Sequence, residues 1–166
     1  MRVLQKMNAY VAQAESWILV GIVLVMVVLS FAQVVLRNVF DQGILWGDVF
    51  LRHLVLWVGF IGASIATQEE KNINIDVFNR FMKGKSKYFA HAIVSIFAAV
   101  VSYLLMKAAW NFVMDEKEYA TMLFGDIPAW YFQIIIPVGF LLMSFRFLII
   151  ALENIVHILV KKSDNK

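Results

Sequence analysis

The chain has 166 residues, 61% hydrophobic and 16% charged, with 14 Phe, 5 Trp and no Cys. Soluble domains carry about 45–50% apolar and about 25% charged residues, so this composition points to lipid. The missing cysteine removes disulfides, thiolate metal sites and cysteine nucleophiles together, and a formal charge of +3 is too small for a nucleic-acid binder.

The first apolar run, residues 17–36 ("WILVGIVLVMVVLSFAQVVL"), carries no charge over about the 20 residues that a spanning helix needs. A cleaved signal peptide is its rival reading, because "SFA" at 30–32 loosely resembles a cleavage site. The run is longer than a signal core, continues past that site and follows Glu15 directly, so an uncleaved helix is expected. Residues 48–66 give the second span, 88–110 the third and 129–152 the fourth. Lipid offers the backbone no hydrogen-bond partners, so each span must be helical, and the runs lack the alternation of a β-barrel. The fold class expected is an all-α integral membrane protein, with residues 1–166 as one membrane domain of four transmembrane helices.

Basic residues set the orientation. Arg2 and Lys6 precede the first span, Lys71, Arg80, Lys83, Lys85 and Lys87 crowd the connection between the second and third, and Lys161, Lys162 and Lys166 end the chain. Both termini are therefore expected to be cytoplasmic. Within the basic connection, Ile75, Phe78, Phe81 and Met82 recur at helical spacing. That pattern predicts a short interfacial helix over about 73–84, with Arg80, Lys83, Lys85 and Lys87 directed to anionic lipid. A plain basic loop is the alternative.

Ionisable groups inside a membrane are costly, which makes each a candidate. Asp48 and Arg52 stand four residues apart, the spacing of an ion pair on one helix face, with His53 beside them. A contact of this group with Arg37 or with a partner protein is the functional alternative. Glu15 and Arg146 lie at similar depth on helices one and four, so an inter-helix pair is feasible, or Arg146 snorkels to lipid phosphates. Gln33 and the serines at 64, 95, 102 and 144 suit ordinary helix–helix hydrogen bonds. His53 and His91 lie about 15 Å apart in depth at helical rise, too far to share one haem iron, so no cofactor or metal is expected. The pairs Gly59/Ala63, Gly62/Ala66, Ser95/Ala99 and Ala98/Ser102 predict close helix approach. Pro137 should bend the fourth helix, and Pro128 suits its first turn. Trp46, Trp57, Trp110 and Trp130 mostly fall near span ends, where aromatic rings anchor. Nothing in the sequence resembles a catalytic constellation.

Glu15 ahead of a long apolar helix, "QVVLR" at 33–37, Trp46, Trp57 and Gly62-Ala63 resemble the small membrane subunit of TRAP (tripartite ATP-independent periplasmic) transporters. So do "NINID" at 72–76, "IPAW" at 127–130 and "PVGFLLMSFR" at 137–146. The resemblance runs from about residue 15 to 152. An acidic pair often follows the first Trp in that family, whereas here Gly47 and Asp48 supply one acid.

The resemblance implies a non-enzymatic scaffold subunit in the bacterial inner membrane, bracing a large multi-spanning permease. The system would take up an organic acid, of the C4-dicarboxylate or sialic acid class, with sodium. A periplasmic binding protein would be a transient partner, with residues 115–118 and the Asp41/Asp48 region as its candidate contacts. Glu15, Gln33, Arg37, Asp48, Arg52, Trp57, Gly62 and Arg146 are the candidate structural or partner-contact residues. The alternatives are a membrane anchor of a respiratory redox complex and a small self-contained homodimeric exporter. The exporter needs a membrane-buried acid in helix one, where Glu15 stands only at the edge.

Overall fold

The computed structural model describes the backbone of residues 2–81, 85–124 and 126–163, and the side chains of 8–68, 88–123 and 126–158. Five helices and one two-stranded hairpin follow in the order α1 (Arg2–Phe40), α2 (Gly47–Phe81), α3 (Lys85–Tyr119), β1 (Met122–Phe124), β2 (Ile127–Pro128), α4 (Trp130–Gln133) and α5 (Ile135–Ser163). Four stretches are long and apolar enough to cross a membrane: Asn8–Phe40, Gly47–Gln68, Tyr88–Tyr119 and Trp130–Ile158. They match the four spans anticipated from sequence, the fourth beginning one residue later than expected, and the helices run past the far end of each. Hydropathy marks where hydrocarbon begins and ends, whereas a helix continues until its backbone is stopped.

The stops are identifiable. Asp41 (φ 51°) follows α1 and Ala120 (φ 49°) follows α3, each in the left-handed conformation that commonly terminates a helix. No such residue separates the second span from the basic connection, and α2 runs unbroken to Phe81. The interfacial segment expected at 73–84 is thus helical as far as Phe81 and continuous with α2. Residues 82–84 and the side chains of 69–87, including Arg80, Lys83, Lys85 and Lys87, lie outside the described residues.

The connection between α3 and α4 is more ordered than a loop. β1 and β2 pair antiparallel with Met122 opposite Pro128 and Phe124 opposite Ile127, and Ala129 N–H closes the hairpin on the Thr121 carbonyl at 2.9 Å. Asp126 turns the chain at φ 61°. Pro128 therefore ends a strand instead of opening the helix: it has no N–H to give a ladder, which suits it to the edge of so short a sheet.

The fourth span is interrupted at a single residue, Ile134, which keeps right-handed helical dihedrals (φ −59°, ψ −21°). Pro137 is the third residue of α5 and cannot donate to the carbonyl four residues back, that of Gln133, and α4 ends at Gln133. The proline at which a bend was anticipated thus follows, within one turn, an interruption in the hydrogen bonding of the helix. Trp57 Nε1 donates to the neighbouring carbonyl of Phe132 at 2.9 Å, so a side chain of α2 bonds the backbone beside the interruption.

Contacts link α1 to α2, α2 to α5 and α5 to α3. Ala92, Ser95, Ala99, Ser102, Ala109 and Val113 form the buried stripe of α3, and Ser144 Oγ donates to the Ala99 carbonyl at 3.0 Å. Small residues let these backbones approach, as the Ser95/Ala99 spacing predicts. The equivalent expectation for α2 is not met, because Ala63 and Ala66 are exposed and a Cβ at Gly59 or Gly62 would touch nothing within 4 Å.

Close packing of α2 on α5 depends on Gly139, where a Cβ would lie 2.7 Å from Phe60 Cδ1 and 3.0 Å from Phe60 Cβ. Gly139→Ala is expected to destabilise the detergent-solubilised chain by about 1–3 kcal/mol, the usual cost of overpacking, with part of the loss recovered by adding Phe60→Ala. Thermal unfolding followed by tryptophan fluorescence tests this, and an unchanged midpoint for Gly139→Ala would contradict the packing.

Candidate functional site

The inward stripe of α1 is set by its sequence spacing. Asn8, Ala12, Glu15, Leu19, Ile22, Met26, Leu29, Gln33 and Leu36 are buried or half-buried, in alternating steps of four and three. Such a 3.5-residue repeat keeps one seam facing a neighbouring helix. The polar members Glu15 and Gln33 lie 18 residues apart, or about 27 Å at helical rise, close to the roughly 30 Å of a bilayer's hydrocarbon core.

Glu15 is 7% exposed, Ser64 1% and Arg146 2%. Arg146 Nη2 donates to Glu15 Oε2 at 2.5 Å, Arg146 Nη1 donates to the Ser64 carbonyl, and Ser64 Oγ donates to Glu15 Oε1 at 2.9 Å. One carboxylate, one guanidinium and one hydroxyl thus tie α1, α2 and α5 together. Both carboxylate oxygens are occupied, and the guanidinium has an acid and a carbonyl to bond. A buried ion pair is tolerable only with such additional hydrogen bonds. Of the two readings open for Arg146, the inter-helix pair is the one realised. Ser64, expected to make an ordinary helix–helix hydrogen bond, makes it to the carboxylate of the pair.

At the far end of α1, Gln33 Nε2 donates to Asp48 Oδ1 at 2.9 Å and lies 3.4 Å from the Ile44 carbonyl. Gly47 makes room for it, since a Cβ there would fall 2.2 Å from Gln33 Oε1. The Asp48–Arg52 pair expected from their spacing is not formed. Asp48, in the first turn of α2, is taken by the amide of α1, and Arg52 is exposed. Arg37 is also exposed. His53 turns back on its own helix, its Nδ1 2.7 Å from the Val49 carbonyl, and its ring packs 5.3 Å from that of Phe132. Trp57 bonds beside the α4–α5 interruption as described, and Gly62 is half-buried with open space around it.

A groove of about 170 Å³ adjoins the buried pair, lined by Glu15 and Ile18 of α1, Trp57, Phe60, Ile61 and Ser64 of α2, and Ile135, Gly139 and Leu142 of α5. Its walls are almost entirely apolar. Among the described residues, His, Asp and Glu nowhere gather in groups of three able to hold a metal ion. The chemistry beside the groove is cohesion between helices: the two buried charges, Glu15 and Arg146, answer each other.

A sequence model of the family described as "Tripartite ATP-independent periplasmic transporters, DctQ component" matches residues 26–157. The chain belongs to this family of small TRAP permease subunits. It is 25% identical to the C4-dicarboxylate TRAP transporter small permease protein DctQ of Vibrio cholerae, over 90% of this chain and 75% of that one. It is 21% identical to the ectoine TRAP transporter small permease protein TeaB of Halomonas elongata, over 92% and 80%. The sialic acid TRAP transporter permease protein SiaT of Haemophilus influenzae is 25% identical over 84% of this chain, which spans only 22% of that longer protein. As a TRAP small permease, the chain is a transporter subunit that works with a large permease subunit, and the respiratory-anchor and exporter alternatives fall away.

Removing one partner of a buried ion pair strands the other charge, at about 3–5 kcal/mol. Glu15→Leu and Arg146→Leu should each destabilise the chain by that order, and the double variant by clearly less than the sum. Unfolding midpoints of the four proteins in one detergent measure the cycle; additive losses would show that the two residues do not interact.

Proposed function

We propose that this chain is the scaffold subunit of a sodium-coupled TRAP system, bracing a large permease that takes up an organic acid delivered by a periplasmic binding protein. The single observation that carries this reading is that the buried charges of the membrane-spanning helices are paired within the chain. Glu15, Arg146 and Ser64 bond one another, Gln33 bonds Asp48, and Trp57 bonds backbone. A proton or ion path needs acids that can exchange partners, whereas these polar groups lock helices in register. Transport chemistry then belongs to the large subunit.

The outer surface suits the same role. The most apolar 18-residue stretch of α1 has no buried residue, and Trp17, Val20, Leu24, Val28 and Phe31 are all exposed. By the distribution of basic residues both termini lie in the cytoplasm. Arg80, Lys83, Lys85 and Lys87 then meet anionic headgroups, and Asp41, Asp48 and residues 115–118 face the binding protein. The relatives' names include C4-dicarboxylate, sialic acid and ectoine. The first two support the organic-acid class, and the third widens the range of solutes to be tried.

Expression of the tagged chain from its native operon, with mild extraction, should recover a larger multi-spanning protein in equal amount. The reconstituted pair should accumulate substrate only with its binding protein and an inward sodium gradient. A chain recovered alone would overturn the scaffold reading, and uptake indifferent to sodium would overturn the coupling. Arg52→Leu is expected to weaken assembly or uptake; if both are unchanged, Arg52 has no partner role.

A further inference from the structure

The groove between α1, α2 and α5 is not used by any contact within the chain. We infer that it is the socket for an apolar side chain projecting from a transmembrane helix of the large permease subunit, an inference that rests on the transporter-subunit reading above.

The chemistry of the lining selects the occupant. Trp57 Nε1 is bonded to the Phe132 carbonyl, Ser64 Oγ to Glu15, and both Glu15 oxygens to Ser64 and Arg146. Side-chain polar atoms of the lining are therefore already engaged, and what remains is hydrocarbon and aromatic surface. An anionic substrate or a cation would gain no partner there and would lose its hydration. The occupant is apolar.

Size and shape favour a side chain over a lipid tail. On α2 the lining runs from Trp57 to Ser64, about 10 Å at helical rise, shorter than one leaflet of hydrocarbon. An apolar cavity of about 150 Å³ holds a benzene ring, so about 170 Å³ suits one aromatic or branched aliphatic side chain. The walls are fixed in advance: the Glu15–Arg146 pair sets α1 against α5, and Gly139 seats α5 on Phe60. A preformed hole among rigid helices receives a knob without reorganisation, which is where interface energy concentrates. The mouth is apolar too, since Ile18 of the lining is 51% exposed on α1.

Further polypeptide accompanies the matching region in a relative. In the sialic acid relative the region matching this chain makes up 22% of one longer permease, so the same fold is tethered to several times its own length of further protein. Its unused apolar socket then faces a partner of fixed identity at high effective concentration. Against a partner held in this way the socket supplies specificity.

The test is photo-crosslinking in native membranes, with p-benzoylphenylalanine placed at Ile18 or Leu142 in the socket and at Phe97, which is 69% exposed on α3, as the outlying control. Ile18 and Leu142 are expected to capture the large subunit, and Phe97 to give lipid adducts. Leu142→Trp fills the socket and should lower recovery of the large subunit by about tenfold or more, a loss of one well-seated contact, at unchanged membrane level of the small subunit. If the large subunit co-purifies but is captured only from Phe97, or socket probes give only lipid, the socket assignment is overturned and the subunit reading stands. If no larger protein co-purifies with the unmodified chain, both fall.

Discussion

A carboxylate and a guanidinium bonded to each other, buried between helices at the edge of the hydrocarbon, are the constraint around which the rest of this chain is arranged. Apolar side chains gain little by meeting one another in lipid, because lipid tails are equally apolar. Cohesion must come from close packing and from polar bonds that have no alternative partner. Glu15 or Arg146 alone would be a stranded charge, and together with Ser64 they satisfy one another across α1, α2 and α5. The arrangement admits only one register. Sliding any of the three helices by a turn, about 5.4 Å, would break the set.

The second polar contact turns that point into a frame. Gln33 meets Asp48 at one end, and Glu15 meets Ser64 at the other. Along α1 the two contacts are 18 residues apart and along α2 16, about 27 Å and 24 Å, as antiparallel helices of nearly equal rise require. Both polar sites therefore fall near the boundaries of the hydrocarbon layer, where charge is least costly, with an apolar seam between them. Helix α1, whose most apolar stretch is otherwise unburied, is thus fixed at its ends.

The spans were legible in the sequence because their signal is composition and length, and both survive without tertiary context. The Glu15–Arg146 pair was legible as a possibility from matched depth on two helices. What escaped was direction around the helix axis. Asp48 and Arg52 share a face by spacing, yet nothing in α2 alone says that Gln33 of α1 reaches Asp48 first. The matching separations of Glu15 from Gln33 and of Asp48 from Ser64 were a readable signal for Ser64, but only once the antiparallel pairing of the two helices is assumed. The hairpin also had a signal, since "GD" at 125–126 is a dipeptide of the kind that marks hairpin turns in a sequence. Flanking strands of three and two residues are too short for alternation to register. The small-residue face of α2 shows the opposite error: Gly59, Gly62, Ala63 and Ala66 permit close approach, and the chain itself does not use them.

A subunit built this way has consequences for how it recognises anything else in the membrane. With its buried charges bonded inward, it offers a partner within the bilayer chiefly shape. Dispersion is weak per atom and does not discriminate between a lipid tail and a leucine. Selectivity must then come from a surface whose contours lipid fills poorly and one particular side chain fills well. That demands rigidity, since a contour that relaxes around any filler selects none. The internal polar bonds, costly to bury, are what keep the helices from relaxing, so the fixed register of α1, α2 and α5 and the specificity of the outer surface have one physical origin.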